Sequence, residues 1–313
     1  MKLFGANKIV TEKIAETDLS TYLVGFDIND NGDSYYRIDS LIKLLIKAVP
    51  EFALGCFGNN GATQNEDLME VAVNSAKAIY KVDVFQKVRD IYGCGGIIED
   101  DVADRYMRKG EFGELILHVL LRDFKGSLPL ISKIYFRDSL GTAVHGFDAV
   151  HIQPDTKSLW LGESKIYQDG KQGVKALIGD IKEHITNDYM QSEFGIVSRK
   201  IELFDDIPER KYWVNLLDSS TTLKEQLDNI TIPLLCTYES NNFSKYNDET
   251  ITDFIKDYEQ EVRDLKAYFD AKNDHPLKSK LNIVLLLFPV QSKKELISRM
   301  HKNLSILQSV GEL

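Results

Sequence analysis

Cysteine is scarce in this chain, long apolar runs are missing, and basic residues are outnumbered; each shortage excludes something. The three cysteines, Cys56, Cys94 and Cys236, show no Cys-x-x-Cys spacing and leave one over from any pairing. That excludes a disulfide framework, argues against structural zinc and suits a reducing cytoplasm. The longest uninterrupted apolar run, Ile283 to Val290, is far too short to cross a bilayer. At the N-terminus, charge returns at Glu12 and Lys13 before any long apolar stretch, so no signal peptide is expected. Lysine and arginine total 38 against 48 aspartates and glutamates, a formal charge of −10. A protein that grips nucleic acid by phosphate neutralisation alone carries a basic surplus. If this chain acts on nucleic acid, its basic residues are gathered locally or a partner supplies the grip.

Two short stretches invite chemistry and do not support it. Asp27-x-Asn29-x-Asn31-Gly32 copies the first half of a calcium-binding loop, but Ile38 stands where a bidentate Glu is needed. It reads as a turn, Asn29 to Asp33. Gly58-Asn59-Asn60-Gly61 is followed by no Gly-Lys-Ser/Thr, so it reads as a plain loop rather than a phosphate loop.

What is present is ordinary globular material: 313 residues, 43% apolar and 27% charged, enough for one large domain or two of usual size. Tyr22 to Ile28 reads as a strand. Asp39 or Ser40 caps a helix carrying Leu41, Leu44, Leu45 and Ala48 on one stripe and stopped by Pro50. A second helix runs from about Glu66 to Tyr80, and a third short helical stretch ends at Cys94-Gly95-Gly96 before the acidic run Glu99 to Asp101. A boundary is expected near there, with an N-terminal α+β domain over 1–100 for support or partner binding and a second domain over 101–313.

The informative stretch lies between Gly146 and Tyr167. Phe147 to Ile152 and Leu159 to Ile166 are rich in aromatic and β-branched residues, and Pro154 to Ser158 between them are turn formers, which predicts a hairpin. A turn centred between Asp155 and Thr156 pairs positions whose numbers total 311, and so places Asp148 opposite Glu163. Two carboxylates about 5 Å apart across strands repel each other. A hard divalent cation removes the conflict: Mg²⁺, with Mn²⁺ able to stand in, accepts two carboxylates and keeps waters. Lys165 shares the face of Glu163 while Ser164 points away. Both strands are otherwise apolar, with Val150, Ile152, Leu159 and Leu161 as neighbours, so these charges interrupt rows that look buried. Charges almost never go inside unpaired. The set is equipment for metal-assisted phosphodiester hydrolysis, in which the lysine stabilises developing negative charge.

Around it, a helix over Glu111 to Phe124 carries Glu114 and His118 one turn apart. His118 reads as a packing residue; Glu114 is placed to reach the metal as a further carboxylate or a holder of water. A strand, Ile131 to Phe136, links this helix to the hairpin. After it, Gly170 to Gly173 leads into a helix of about Val174 to Tyr189 with Lys171, Gln172 and Lys175 at its start, where an anion such as phosphate is favoured. Beyond Leu203 the path reads as irregular until a short helix, Thr222 to Asp228, and a strand, Ile230 to Tyr238, which Pro233 marks as an edge or irregular one. Asp248 to Asp270 reads as an amphipathic helix with Ile251, Phe254, Ile255, Tyr258, Val262, Leu265 and Phe269 inward. Leu281 to Phe288 reads as a strand buried on both faces, and Ser292-x-x-Glu295 as the capping box of a last helix.

Helix with Glu, three strands bearing Asp and then Glu-x-Lys, helix, strand: from Arg105 to Tyr238 this resembles the PD-(D/E)xK nuclease superfamily. The Pro that names the motif is replaced by Phe147. More narrowly, Gly110-Glu-Phe-Gly-Glu114, Gly146-Phe-Asp-Ala-Val-His151 and Leu159-Trp-Leu-Gly-Glu-Ser-Lys165 resemble the HamA family, nuclease subunits of the two-gene Hachiman antiphage systems. The resemblance implies an α/β, restriction-endonuclease-like mixed sheet flanked by helices, with a smaller α+β N-terminal domain. It implies a Mg²⁺-dependent DNase working with a superfamily 2 helicase (HamB-like). Asp148, Glu163 and the Ser164 carbonyl would hold the metal, Glu114 would orient water or a second ion, and Lys165 would act on the phosphate. A non-catalytic assembly or DNA-end-binding subunit and an RNase of the same fold remain the alternatives.

Overall fold

The computed structural model describes residues 3–54, 68–79, 110–132, 146–202 and 207–310. Along the chain these form a short 3-10 turn, Ala6–Lys8, then β1 (Val10–Ala15), β2 (Leu19–Val24), β3 (Phe26–Ile28), β4 (Ser34–Tyr36), α1 (Ile38–Leu54) and α2 (Leu68–Ile79). There follow α3 (Glu111–Phe124), β5 (Leu128–Ser132), β6 (Ala149–Gln153), β7 (Ser158–Tyr167), α4 (Gly170–His184), α5 (Asn187–Glu202), α6 (Arg210–Leu216) and α7 (Leu223–Asp228). The chain closes with β8 (Ile230–Glu239), α8 (Asn242–Lys245), α9 (Thr252–Lys272), β9 (Asn282–Val290) and α10 (Lys293–Val310). The third helical stretch of the N-terminal hundred residues and the Gly58–Gly61 loop lie outside the described residues.

Seven strands make one mixed sheet in the order β1-β2-β9-β8-β7-β6-β5. Strand β6 runs antiparallel to both of its neighbours, β5 and β7; β7, β8, β9 and β2 are mutually parallel, and β1 turns back on β2. The expected α/β architecture of a mixed sheet flanked by helices is what the chain adopts. Strand β9 is central and buried from Val284 to Val290, as its continuous apolar run requires. Helices α1, α2, α3 and α10 cover one face; α4 and α9 cover the other. Residues before and after the expected boundary near 100 share this sheet and one hydrophobic core. They are also tied together by polar contacts. Asp123 on α3 accepts the Phe4 and Ala6 amides at 3.1 and 2.8 Å, and Arg122 and His118 on the same helix reach Glu51 of α1 at 2.8 and 3.1 Å. His118 packs among Phe4, Phe52 and His151, the packing role its position suggested.

Several elements depart from the sequence expectation for physical reasons. Helix α1 runs through Pro50 to Leu54, because Phe52 and Ala53 are buried and their packing outweighs the one backbone hydrogen bond that proline removes. The strand expected over Tyr22–Ile28 is two strands that part at Gly25, where a Cβ would run into the Glu249 carboxylate that accepts the Phe26 amide. Strand β8 is central, not an edge. Its Pro233 lies beside Gly162, whose missing side chain leaves room for the ring. The single helix expected to Tyr189 is two, broken at Ile185, whose carbonyl is taken by His275 Nε2 at 3.1 Å. Helix α6 occupies part of the stretch that read as irregular. Strand β5 begins at Leu128, ahead of the expected Ile131. Helix α9 starts at Thr252, so Ile251 stands before it and is exposed, as is Ile255 on its rim.

Candidate functional site

The β6–β7 hairpin has the predicted register: Ala149 pairs Gly162, Val150 pairs Leu161 and His151 pairs Trp160. Asp148 and Glu163 stand one step beyond the last pair, where the two strands begin to part. Both are buried, at 8% and 3% exposure, so neither charge is relieved by bulk water. Asp148 Oδ2 accepts from the Ser164 amide and from Ser164 Oγ, each at 2.9 Å, which fixes its carboxylate against the backbone of β7.

The two faces of β7 meet different helices. Gly162 and Ser164 face α3: a Cβ on Gly162 would strike Leu117, and one on Gly113 would press on Ser164 Oγ. Glu163 and Lys165 face α4 instead. Glu163 Oε1 lies 2.6 Å from His184 Nδ1, and Lys165 Nζ lies 2.6 Å from Asp180 Oδ2. Burial pushes the Glu163 carboxyl up to about 7, with the neighbouring Asp148 and Asp180 charges adding to the rise and His184 opposing it. The hydrogen bond to Glu163 raises the His184 imidazole above its usual value, against desolvation. Desolvation lowers the Lys165 ammonium, but Asp180 and the other carboxylates outweigh it and hold the group above the ordinary lysine range.

Further side chains that the sequence reading did not single out close the corner. Tyr189, at the start of α5, stacks on His184 with ring centroids 4.5 Å apart and planes at 10°, and Phe147 meets both rings edge-on. Glu193 on α5 is buried, and its carboxylate occupies the space that a Cβ on Gly146 would need. An acidic and histidine pair four residues apart on the helix after a Glu-x-Lys strand was the available signal for Asp180 and His184.

Glu114 is buried on α3, the helix that packs on the face of β7 opposite Glu163 and Lys165. Lys171, Gln172 and Lys175 sit at the other end of α4, about 14 Å along the helix from Asp180 in the case of Lys171. There the Gln172 amide is already capped by Asp169 Oδ1 at 2.8 Å, so a carboxylate of the chain holds the place an anion would take.

Among the described residues, no group of three or more His, Cys, Asp or Glu side chains is placed to hold a metal ion. The donor set of Asp148, Glu163 and the Ser164 carbonyl nonetheless fits a hard divalent ion, which takes one or two carboxylates and fills its shell with water and substrate oxygen. The raised Glu163 carboxyl is the strain such an ion would relieve. No helix among the described residues is long and apolar enough to cross a membrane.

A mixed sheet whose β6–β7 hairpin gathers two buried carboxylates and a half-buried lysine defines an α/β protein with an acidic corner. The family model HamA matches residues 4–304, nearly the whole chain, and the chain belongs to the HamA family. It is therefore a component of Hachiman defence. No curated protein matches it.

Proposed function

We propose that this chain is a Mg²⁺-dependent deoxyribonuclease that hydrolyses phosphodiester bonds in antiphage defence together with a superfamily 2 helicase. The observation that carries the reading is one corner that holds two buried carboxylates, Asp148 and Glu163, beside the half-buried Lys165, with the Glu163 carboxyl raised to about 7. Asp148, Glu163 and the Ser164 carbonyl would hold the metal, which would supply polarisation of a phosphoryl oxygen and a more acidic water. Lys165 places its ammonium where negative charge develops on the phosphate. Glu114, coming from the α3 side, orients the attacking water. Phe147 and Tyr189 keep bulk water from the carboxylates. The formal charge of −10 supports reliance on a partner, since a chain with this balance holds DNA weakly by itself.

One observation favours a second reading. Lys165 and Glu163 are each engaged by a residue of α4, as they would be in a non-catalytic subunit that keeps the charges as buried ion pairs. Incubation of the purified chain with plasmid DNA, single-stranded DNA and RNA, in Mg²⁺ and with or without its genomic neighbour, separates the two. DNA hydrolysis that stops on chelation supports the nuclease. No cutting under any condition, with Glu163→Ala still binding the neighbour normally, supports the assembly subunit, and RNA cleavage alone would make it an RNase.

A further inference from the structure

Glu163 and Lys165 are two residues apart on one face of β7, a spacing of about 6.7 Å along a strand. Asp180 and His184 are four residues apart on one face of α4, a spacing of about 6 Å along a helix. Because α4 runs back along β7, these near-equal spacings form two rungs, Glu163 with His184 and Lys165 with Asp180, each closed at 2.6 Å. A shift of the helix by a single residue would open both rungs together.

We infer that Asp180 and His184 are positioning residues that keep the lysine and the metal-holding carboxylate of this site apart. This rests on the nuclease reading above. Left alone, Lys165 and Glu163 are opposite charges on the same strand face, the carboxylate buried and the lysine half-buried, and they would close on each other. Such an ion pair would take the Glu163 oxygens from the metal and the ammonium from the phosphate at one stroke. Asp180 draws the ammonium toward α4. His184 donates to Oε1 of Glu163, fixes the plane of the carboxylate, and leaves Oε2 for the metal. Tyr189 stacked on the imidazole and Phe147 against its edge hold the His184 ring in place. Hydrogen bonds to ligating carboxylates of this kind are part of a metal site rather than scaffolding around it.

The test is Mn²⁺ binding to the full chain, read by calorimetry or by loss of the free-ion spin-resonance signal, with thermal melting to show that each variant is folded. Asp180→Asn should weaken Mn²⁺ binding on the order of tenfold, because Lys165 then competes for Glu163. The decisive variant is Asp180→Asn combined with Lys165→Met, which should return Mn²⁺ affinity to that of the parent while restoring no activity. Asp180→Ser serves in the same two roles if the amide misfolds. His184→Leu should weaken binding and His184→Asn, whose amide nitrogen stands where Nδ1 does and can donate the same bond, should recover it. Parent-like affinity in Asp180→Asn, or weak binding that Lys165→Met leaves unchanged, overturns the inference while the metal site stands. A parent chain that binds no Mn²⁺, with Glu163→Gln indistinguishable from it, overturns the inference together with the reading beneath it.

Discussion

Asp148 Oδ2 takes two hydrogen bonds from one residue, the amide and the hydroxyl of Ser164, each at 2.9 Å. The carboxylate therefore does more than offer charge: it fixes the backbone of β7 at the residue between Glu163 and Lys165. Replacing it by alanine leaves a buried N–H and a buried hydroxyl without their acceptor. Asp148→Ala is expected to cost about 1–3 kcal/mol of stability, and Ser164→Ala, which removes only the hydroxyl bond, about 1 kcal/mol. Urea unfolding of the two variants beside the parent checks the order; equal losses would mean the amide bond contributes nothing.

Glu163→Gln and Lys165→Met should each lower DNA cleavage by at least about 100-fold while the protein keeps its fold. Glutamine retains the shape of Glu163 and can still accept from His184, yet it removes a buried charge that repels Asp148. Its melting temperature is expected to equal or exceed that of the parent. Loss of folding along with activity would mark the Glu163–His184 contact as a structural ion pair.

Gly162 sits in the middle of β7 with Leu117 on one side, Pro233 on another and Ala149 across the strand pair. A methyl group there has no free volume, and the near contact with Leu117 comes from a packed helix. Gly162→Ala is expected to destabilise the chain by about 1–3 kcal/mol, and to lower metal affinity because Glu163 follows directly. Unchanged denaturation and metal binding would show that α3 yields easily at this point.

Stability toward acid depends on Glu51. Burial pushes its carboxyl up, but hydrogen bonds and charge from His118 and Arg122 more than offset this and hold it below the usual range. A depressed folded-state value means that the contribution is complete above the unfolded value of about 4.3 and fades as pH falls through the folded value. Glu51→Gln should therefore cost about 3 kcal/mol near neutrality, and the gap to the parent should close below about pH 4. A gap independent of pH would mean that the loss reflects packing rather than charge.

Local pattern carried the hairpin: alternation and turn chemistry placed Asp148 beside Glu163, and the ladder from Ala149 to Gln153 has that register. Amphipathic spacing likewise located α9 and α10, where burial follows the helical period, whereas α3 is buried on all sides from Phe112 to Leu121. What local pattern could not carry was pairing over long separations. Strand β2 enters the sheet beside β9, more than two hundred residues later in the chain, and nothing within Leu19–Val24 names that neighbour. Asp180 and His184 lie on a helix whose flanks, Lys182 and Glu183, look like any solvated surface, and only the fold aims them at β7. Pro50 and Pro233 misled for a related reason. A proline weighs against a helix or a central strand until tertiary burial, or a glycine on the next strand, accommodates it.

The most direct measurement is divalent-metal-dependent cleavage of plasmid DNA by the purified chain and its genomic neighbour, run beside Lys165→Met and Glu163→Gln. The expected result is cutting by the parent in Mg²⁺ or Mn²⁺, none after chelation, and none with either variant. Cutting that persists in both variants, or a parent that never cuts while folded and bound to its neighbour, would contradict it.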